Sequence, residues 1–319
     1  MKVLVTGAGG FLGSHVVRAL HARGHEVRAM VRPGRPRAHV EGWGEVVEGD
    51  LLDEALLRKV SRDCGGLIHC AARMGYWSRR NAEQRAVNVE GTSKLLRAAH
   101  ANGTARIVHV SSIATIGASA DGTVLDETHR WNPRALRIHY VTSKKEAEER
   151  AFAAAWAGMH VVVVNPSMLV GPRLDGRPPS ATVTRIARGE TRWVPPGGTS
   201  VADVEDVAGA CVDALTKGRS GERYILGGAN TTWRDLYGAI AAELRVRAPN
   251  RRMPMVAVRA LRVATSGLDT FGLSRPPWTP EIFRSYGLYA FVDSSKARRE
   301  LGYAPRPLNE VIARVCAAV

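Results

Sequence analysis

Thr6-Gly7-Ala8-Gly9-Gly10-Phe11-Leu12-Gly13 joins an apolar run, Lys2–Thr6, to a stretch of helical periodicity, Phe11–Ala22. A glycine-rich loop between a buried strand and a helix places free N–H groups and the positive end of the helix dipole where a pyrophosphate can lie. Glycines let the backbone turn tightly and come close to the phosphates. The strict G-x-G-x-x-G pattern fails, because its last position falls on Leu12; what fits is Gly7-x-x-Gly10-x-x-Gly13. Strand, loop and helix together predict nucleotide binding at this end of the chain.

Working outward, strand-like runs at His25–Val31, Glu45–Glu48, Gly66–Cys70 and Ala105–Val110 alternate with helical stretches near 53–62 and 79–101. That alternation argues for a parallel sheet covered by helices. A helix from about His139 to Trp156 and a strand at His160–Val164 follow. From Gly171 to Ser200 the chain turns rich in Pro, Gly and Arg, which breaks the alternation. Glu222–Leu226 reads as one more strand returning to the sheet. From Thr232 the pattern is helical and irregular, with a closing helix near 307–317. The expected fold is α/β: a Rossmann-type doubly wound parallel sheet with a smaller, mainly helical C-terminal substrate domain. The dinucleotide-binding domain would comprise 1–170 plus 201–230, and the substrate-binding domain 171–200 plus 231–319.

Composition sets the outer limits. At 319 residues, with 45% apolar and 24% charged residues, the chain has an ordinary globular balance, which excludes a collagen, a coiled coil or a disordered protein. A chain of this length buries enough surface to fold without disulfides. Cys64, Cys70, Cys211 and Cys316 show no Cys-x-x-Cys spacing and no His partner, so no metal site is expected and the thiols read as reduced. No charge-free apolar run reaches the roughly 18 residues a membrane span needs. The glycine loop begins too early for a signal peptide, so a cytoplasmic protein is expected. The net charge of +15 invites a nucleic-acid reading, yet thirty-eight arginines against seven lysines are spread among Ala, Gly and Val, as GC-rich coding would leave them. Nucleic acid is therefore not the expected partner. One dense patch, Arg245 to Arg262, carries six arginines and no acid; it reads either as a solvated face or as a surface for a phosphate, an acidic partner or an anionic surface.

The second strand bears on cofactor choice. A carboxylate at its end would hold the ribose 2′-hydroxyl of NAD; here Val27-Arg28-Ala29-Met30-Val31-Arg32-Pro33 ends without one. Arg32, followed by Arg35 and Arg37, suits a 2′-phosphate, so NADP(H) is expected, with NAD(H) the alternative and a solvent arginine the plain reading. Asp50 and Leu51, after the third strand, are placed to contact adenine. Tyr140 and Lys144 are four residues apart, hence on one helix face. A cation there favours the phenolate, typically lowering a tyrosine by about 1–3 pKa units, which would make Tyr140 an acid or base near neutral pH. Ser112 lies just past the strand ending at Val110, where a hydroxyl can hold a substrate oxygen.

With those residues in order, the whole chain resembles an extended short-chain dehydrogenase/reductase. The resemblance rests on the Thr6–Gly13 loop, Asp50-Leu51, His69-Cys70-Ala71-Ala72, Asn88-Val89-Glu90-Gly91-Thr92, Ser112, Tyr140, Lys144, Asn165-Pro166-Ser167 and the closing segment 295–303. Within the family the second strand resembles dihydroflavonol 4-reductase-like proteins, and the whole chain also resembles hopanoid-associated sugar epimerase-like proteins. The resemblance implies that Tyr140 gives or takes the proton, that Lys144 orients the nicotinamide ribose and lowers the phenol pKa, and that Ser112 hydrogen-bonds the reacting oxygen. It assigns the cofactor to Gly7, Gly10, Phe11, Leu12 and Gly13, to Ala71 and Ala72 on the adenine-side ribose, and to Pro166 and Ser167 beside the nicotinamide. Asn88 is expected to be structural.

Met74, Tyr76, Trp77, Met168 and Trp193 fall in loops expected over the cofactor, with Phe271, Trp278, Phe283 and Tyr286 from the C-terminal part. Ligand pockets are mostly apolar, so an apolar or aromatic carbonyl compound is the expected small-molecule substrate; the C-terminal set reads equally as the small domain's own core. Sugar-nucleotide enzymes of the family usually carry an arginine and an aromatic before a Val-x-Asp segment. Here Gly198-Thr199-Ser200-Val201-Ala202-Asp203 has neither, though Arg173, Arg177 or Arg192 remain as diphosphate ligands. The expected activity is NADP(H)-dependent hydride transfer to a ketone or aldehyde. An NAD-dependent nucleotide-sugar epimerase or dehydratase is the alternative, followed by a hydroxysteroid-type dehydrogenase. Many relatives pair through the helices near 79–101 and 139–157, so a homodimer is expected, although the charges of those helices, among them Lys145, Glu146, Glu148 and Glu149, also suit a solvated face.

Overall fold

The computed structural model describes residues 1–77, 79, 81–131, 138–178 and 180–318. The chain opens with β1 (Lys2–Thr6), α1 (Phe11–Ala22), β2 (Glu26–Val31), β3 (Glu45–Glu48), α2 (Glu54–Val60) and β4 (Gly66–His69). It continues through α3 (Asn81–Arg85), α4 (Gly91–Ala101), β5 (Arg106–Val110), α5 (His139–Trp156), β6 (Val161–Pro166) and β7 (Met168–Val170). Then come α6 (Ala181–Ala187), β8 (Trp193–Val194), β9 (Gly198–Asp203), α7 (Val204–Lys217), β10 (Arg223–Leu226) and β11 (Ala229–Thr232). The chain closes with α8 (Trp233–Glu243), β12 (Arg251–Arg252), α9 (Met255–Thr270), α10 (Pro280–Ser285), β13 (Tyr289–Ala290), α11 (Ser295–Leu301) and α12 (Leu308–Cys316).

Seven of these strands make one parallel sheet in the order β10-β6-β5-β4-β1-β2-β3. A parallel strand covered on both faces reads as a continuous apolar run, and Val161 to Val164 in β6 are all fully buried. Alternate residues serve opposite layers: Val3 and Val5 join α1 and α7 in one apolar core, while Leu4 joins Leu95 and Leu96 of α4 and Ala151 of α5 in the other. The chain leaves β1 toward β2 and β3, then returns to β4 on the other side. Strand order reverses between β1 and β4, and in such sheets a crevice opens outside the strand ends at that point.

The helix expected over 79–101 is interrupted. Position 80 lies outside the described residues; α3 and α4 are separated by a π turn at Ala86–Glu90. The wide turn carries Asn88, whose side chain accepts from the Arg73 amide (2.7 Å) and donates to the Arg73 carbonyl (3.1 Å) and to Ser143 Oγ (3.0 Å). It ties the loop after β4 to α5, in the structural role expected of it.

The strand after Gly218 pairs with β6 as expected, from Arg223↔Val163 to Leu226↔Pro166. The C-terminal part also contains short strands the sequence reading did not anticipate. β9 pairs with β7 and β13 in parallel and with β11 in antiparallel fashion. This small sheet packs with α6, α8 and α12 around a third apolar cluster that includes Val183, Ile186, Leu236, Ile240 and Ile312.

Candidate active site

Cofactor cradle. Gly7 takes φ +71°, and a Cβ there would lie 2.7 Å from the Ala71 backbone. A Cβ on Gly13 would collide with the Gly7 carbonyl, so the helix start can press against the loop only as glycine. Gly10 caps α1 without a side-chain hydrogen bond, which leaves the N–H groups of the first turn for a ligand. Around this loop lies a cleft of about 350 Å³ lined by Gly7, Gly10, Arg32, Asp50, Leu51, Ala71 and Ala72 among others. All seven were expected to hold the cofactor. Phe11 and Leu12 begin α1, and the Phe11 ring lies under the Arg173 guanidinium at 5.3 Å. The cradle therefore fits a dinucleotide pyrophosphate, on glycines that no other residue could replace.

Arg32 and Arg35 line the same cleft. Among the described residues neither has a carboxylate within 4 Å, whereas Arg37 is taken by Glu41 (3.0 Å) and Glu48 (3.0 Å). Of the three arginines read from sequence, two are available to an anion. Arg177 also lines the cleft, but it and Arg173 both clasp Asp175. These ion pairs hold the Asp175 carboxyl far below its ordinary range.

The hydroxyls and the amine. Ser112 follows β5 in extended conformation and caps the short turn Ile113–Thr115, its Oγ accepting from the Ala114 amide at 3.2 Å. Tyr140 stands in the first turn of α5, with the Ser112 side chain near enough to its phenol to favour the phenolate. One turn on, the buried Lys144 donates from Nζ to the Val110 carbonyl at 2.7 Å. Burial pulls the lysine down to about 8, against the nearby Glu148 charge. The phenol departs from expectation: burial pushes it upward, the neighbouring Tyr76 adds to this, and only the Ser112 side chain opposes it.

Pro166 ends β6 and Ser167 follows it, both buried, and among the described residues the Ser167 hydroxyl has no hydrogen-bond partner. An orphaned buried hydroxyl at the end of a parallel strand is a donor held ready for a ligand. Tyr140 and Tyr76 meet edge to face at 5.9 Å between ring centres. Ile138, Val141, Ala114, Ala118, Trp131 and Leu288 complete an apolar cluster around them. The other residues expected over the substrate are placed differently. Met74 lines the dinucleotide cleft. Trp77 Nε1 donates to the Ser274 carbonyl at 3.0 Å. Met168 packs on the small domain's core, and Trp193 lies beneath the Arg251 guanidinium. Of the C-terminal aromatics, Phe283 is buried between Trp278 and Tyr286, while Phe271 is exposed.

A buried carboxylate supports the site, on a helix that the sequence reading gave to a homodimer interface or a solvated face. Glu148 is fully buried. Its Oε2 accepts from Thr115 Oγ1 and Asn165 Nδ2, both at 2.7 Å; its Oε1 meets Lys145 at 3.1 Å and Arg223 at 3.1 Å. Burial alone would raise this carboxyl, but the Arg223 and Lys145 cations and the Thr115 hydroxyl outweigh it and hold it low. Asn165 Nδ2 also donates to the Ser112 carbonyl at 3.1 Å, and Thr115 Oγ1 lies 2.8 Å from that carbonyl, its one proton shared between it and Glu148. Tyr140, Lys144 and Glu148 recur every four residues and share one helix face, a spacing masked in the sequence by the charges of Lys145, Glu146 and Glu149 around it.

Residues 3–227 match the family model for the NAD dependent epimerase/dehydratase family. A Synechocystis protein named for dihydroflavonol 4-reductase is 31% identical over 97% of this chain and 92% of its own length. The 4-hydroxy-2-methyl-3-oxo-4-farnesyl-3,4-dihydroquinoline-1-oxide ketoreductase of Stigmatella aurantiaca is 31% identical over 97% of this chain and 94% of its own. Among solved structures, the dTDP-glucose 4,6-dehydratase of Streptomyces venezuelae with NAD bound superposes with a TM-score of 0.80 at 25% identity, covering 99% of this chain and 96% of that one.

Proposed function

Because the chain belongs to the NAD dependent epimerase/dehydratase family, the extended short-chain dehydrogenase/reductases, we propose that it is an NADP(H)-dependent reductase of an apolar or aromatic ketone or aldehyde. The observation that carries this reading is the Tyr140 phenol set in an apolar cluster with the Ser112 side chain near it, together with a cleft in which, among the described residues, Arg32 and Arg35 have no carboxylate within 4 Å. When bound, the nicotinamide supplies the hydride. Ser112 holds the carbonyl oxygen by its hydroxyl, and Tyr140 gives that oxygen a proton as negative charge develops on it. A phenol pushed up by burial is protonated at neutral pH, the form that suits reduction better than oxidation. Lys144, packed on the Val110 carbonyl, positions a cation one turn below the phenol. Tyr76, Ala114, Ala118 and Leu288 offer the substrate apolar contacts, in keeping with the farnesyl-bearing ketone in the name of the Stigmatella relative.

The likeness to the dTDP-glucose dehydratase favours a second reading, an NAD-dependent nucleotide-sugar epimerase or dehydratase. Against it, Arg173 and Arg177, two of the three candidate diphosphate ligands, are both engaged by the one Asp175 carboxylate. Thermal shift with NADPH, NADH, UDP-glucose and dTDP-glucose separates the two. The reductase reading expects stabilisation by NADPH, then NADPH consumption with apolar ketones. A large shift with a sugar nucleotide and none with NADPH would overturn it.

A further inference from the structure

The arginine-rich stretch 245–262 has no part in the site described above, and the structure gives it a second property. α9 buries Val258 and Thr265 on its inner side. Its outer side repeats Val256, Ala260, Val263 and Gly267 at spacings of four, three and four, all exposed. Val256 is 76% and Val263 70% exposed, and the stripe runs on into Phe271 at 79%. A helix on a globular surface normally turns its apolar stripe inward and its polar face outward; α9 shows apolar residues on both. Beyond it Leu273 and Trp278 are also exposed, so the apolar surface continues past the helix end.

Cations rim this surface. Arg259 and Arg262 are exposed on α9 itself, and Arg251 and Arg252 are exposed on β12 just before it. Asp269, the acid of α9, is engaged by the Ser274 hydroxyl. The same surface lies at the border of the candidate site: Trp77 Nε1 bonds the Ser274 carbonyl, and Glu281 of α10 accepts from the His139 amide at the start of α5.

We propose that the outer face of α9, with Phe271, Leu273 and Trp278, docks on an anionic lipid bilayer. Interfacial helices combine a shallow apolar insertion with arginines or lysines for acidic headgroups, and both components are present here. A second copy of the chain fits less well, since a two-fold contact sets a patch against itself and would bring the arginines of both copies together. Nucleic acid would use the cations and leave the valines and Phe271 without a partner.

Co-sedimentation of the full chain with vesicles tests this. Vesicles of phosphatidylcholine with about a third phosphatidylglycerol should bind the protein at an ionic strength of about 0.1 M, with release at about 0.5 M as screening grows. Pure phosphatidylcholine should bind it far more weakly. Each cation near an anionic surface changes partitioning about fivefold, so R259Q/R262Q should weaken binding about 25-fold. V256D/V263D should abolish binding while leaving the NADPH thermal shift intact. R62Q/R150Q removes the same charge from exposed positions elsewhere and should change little. A wild type that stays in the supernatant, or a V256D/V263D variant that binds as well as wild type, overturns the proposal. So does light scattering that shows a wild-type dimer split by V256D/V263D, since the face would then be covered by a second copy.

Discussion

Removing Arg32 tests the link between the end of β2 and cofactor choice. Arg32 lines the dinucleotide cleft with no carboxylate within 4 Å among the described residues. A charged hydrogen bond to a 2′-phosphate contributes about 1.5–3 kcal/mol. Arg32 is exposed, and screening at an exposed position favours the lower end, so Arg32→Ala should cost NADPH about tenfold in Kd. Arg35 lines the same cleft and should retain part of the preference, whereas Arg37, held by Glu41 and Glu48, should contribute little. The double variant Arg32→Ala/Arg35→Ala should bring NADPH and NADH to nearly equal affinity, with NADH itself unchanged. Fluorescence titration of both nucleotides against wild type and the two variants measures each quantity. Raising the salt should erode the wild-type preference in the same direction. Equal binding of NADH and NADPH by the wild type would refute the reasoning, as would a parallel loss of both in the double variant.

Four further outcomes follow from the site. Tyr140→Phe should lower kcat by at least about a hundredfold with dinucleotide affinity kept, read from steady-state kinetics beside a binding titration. Lys144→Met should stabilise the fold near neutral pH: burial holds the folded lysine at about 8 against an ordinary 10.5, so its charge is a burden below pH 8 that disappears as pH rises to 10.5. Thermal melts of variant and wild type should converge across that window. Glu148→Gln should cost about 2–3 kcal/mol in urea unfolding at neutral pH, below the 3–5 of a fully buried pair because Arg223 and Lys145 are partly exposed. The carboxyl is held low in the fold, so that difference should vanish as pH falls through its folded value. Gly13→Ala should abolish the NADPH thermal shift and destabilise the fold by about 1–3 kcal/mol, since its methyl meets the Gly7 carbonyl.

The main sheet was legible because buried parallel strands leave unbroken apolar runs, as β1 and β6 do, and because the glycine loop marks the turn between β1 and α1. The small sheet was hidden by chemistry. β9 reads Gly-Thr-Ser-Val-Ala-Asp, which suggests a loop, yet every residue of it is buried. Its polar groups are satisfied inside: Ser200 Oγ, for one, accepts from the Gly228 amide at 3.1 Å. In the site, Tyr140 and Lys144 could be paired by spacing alone. Glu148 could not be told from its neighbours, because Lys-Lys-Glu-Ala-Glu-Glu-Arg resembles a solvated face and only the fold turns one of the three glutamates inward. Met168 and Trp193 show another limit: an apolar residue in a loop has several surroundings open to it, and tertiary packing sets Met168 on the third apolar cluster and Trp193 beneath Arg251.

The anchoring of Ser112 bears on the order in which the molecule can be completed. Gly7, Ser112, Tyr140 and Lys144 all precede residue 150, but the carboxylate beneath them faces Arg223 on β10, the last strand added to the sheet's edge. A nascent chain that has reached only α7 carries every reacting group and lacks the guanidinium opposite Glu148. The turn that presents the Ser112 hydroxyl would then rest on a buried charge with Lys145 as its one remaining cation. The support of this site is therefore complete only once the chain has recrossed the sheet, and a fragment ending near residue 200 would hold Ser112, Tyr140 and Lys144 without Arg223.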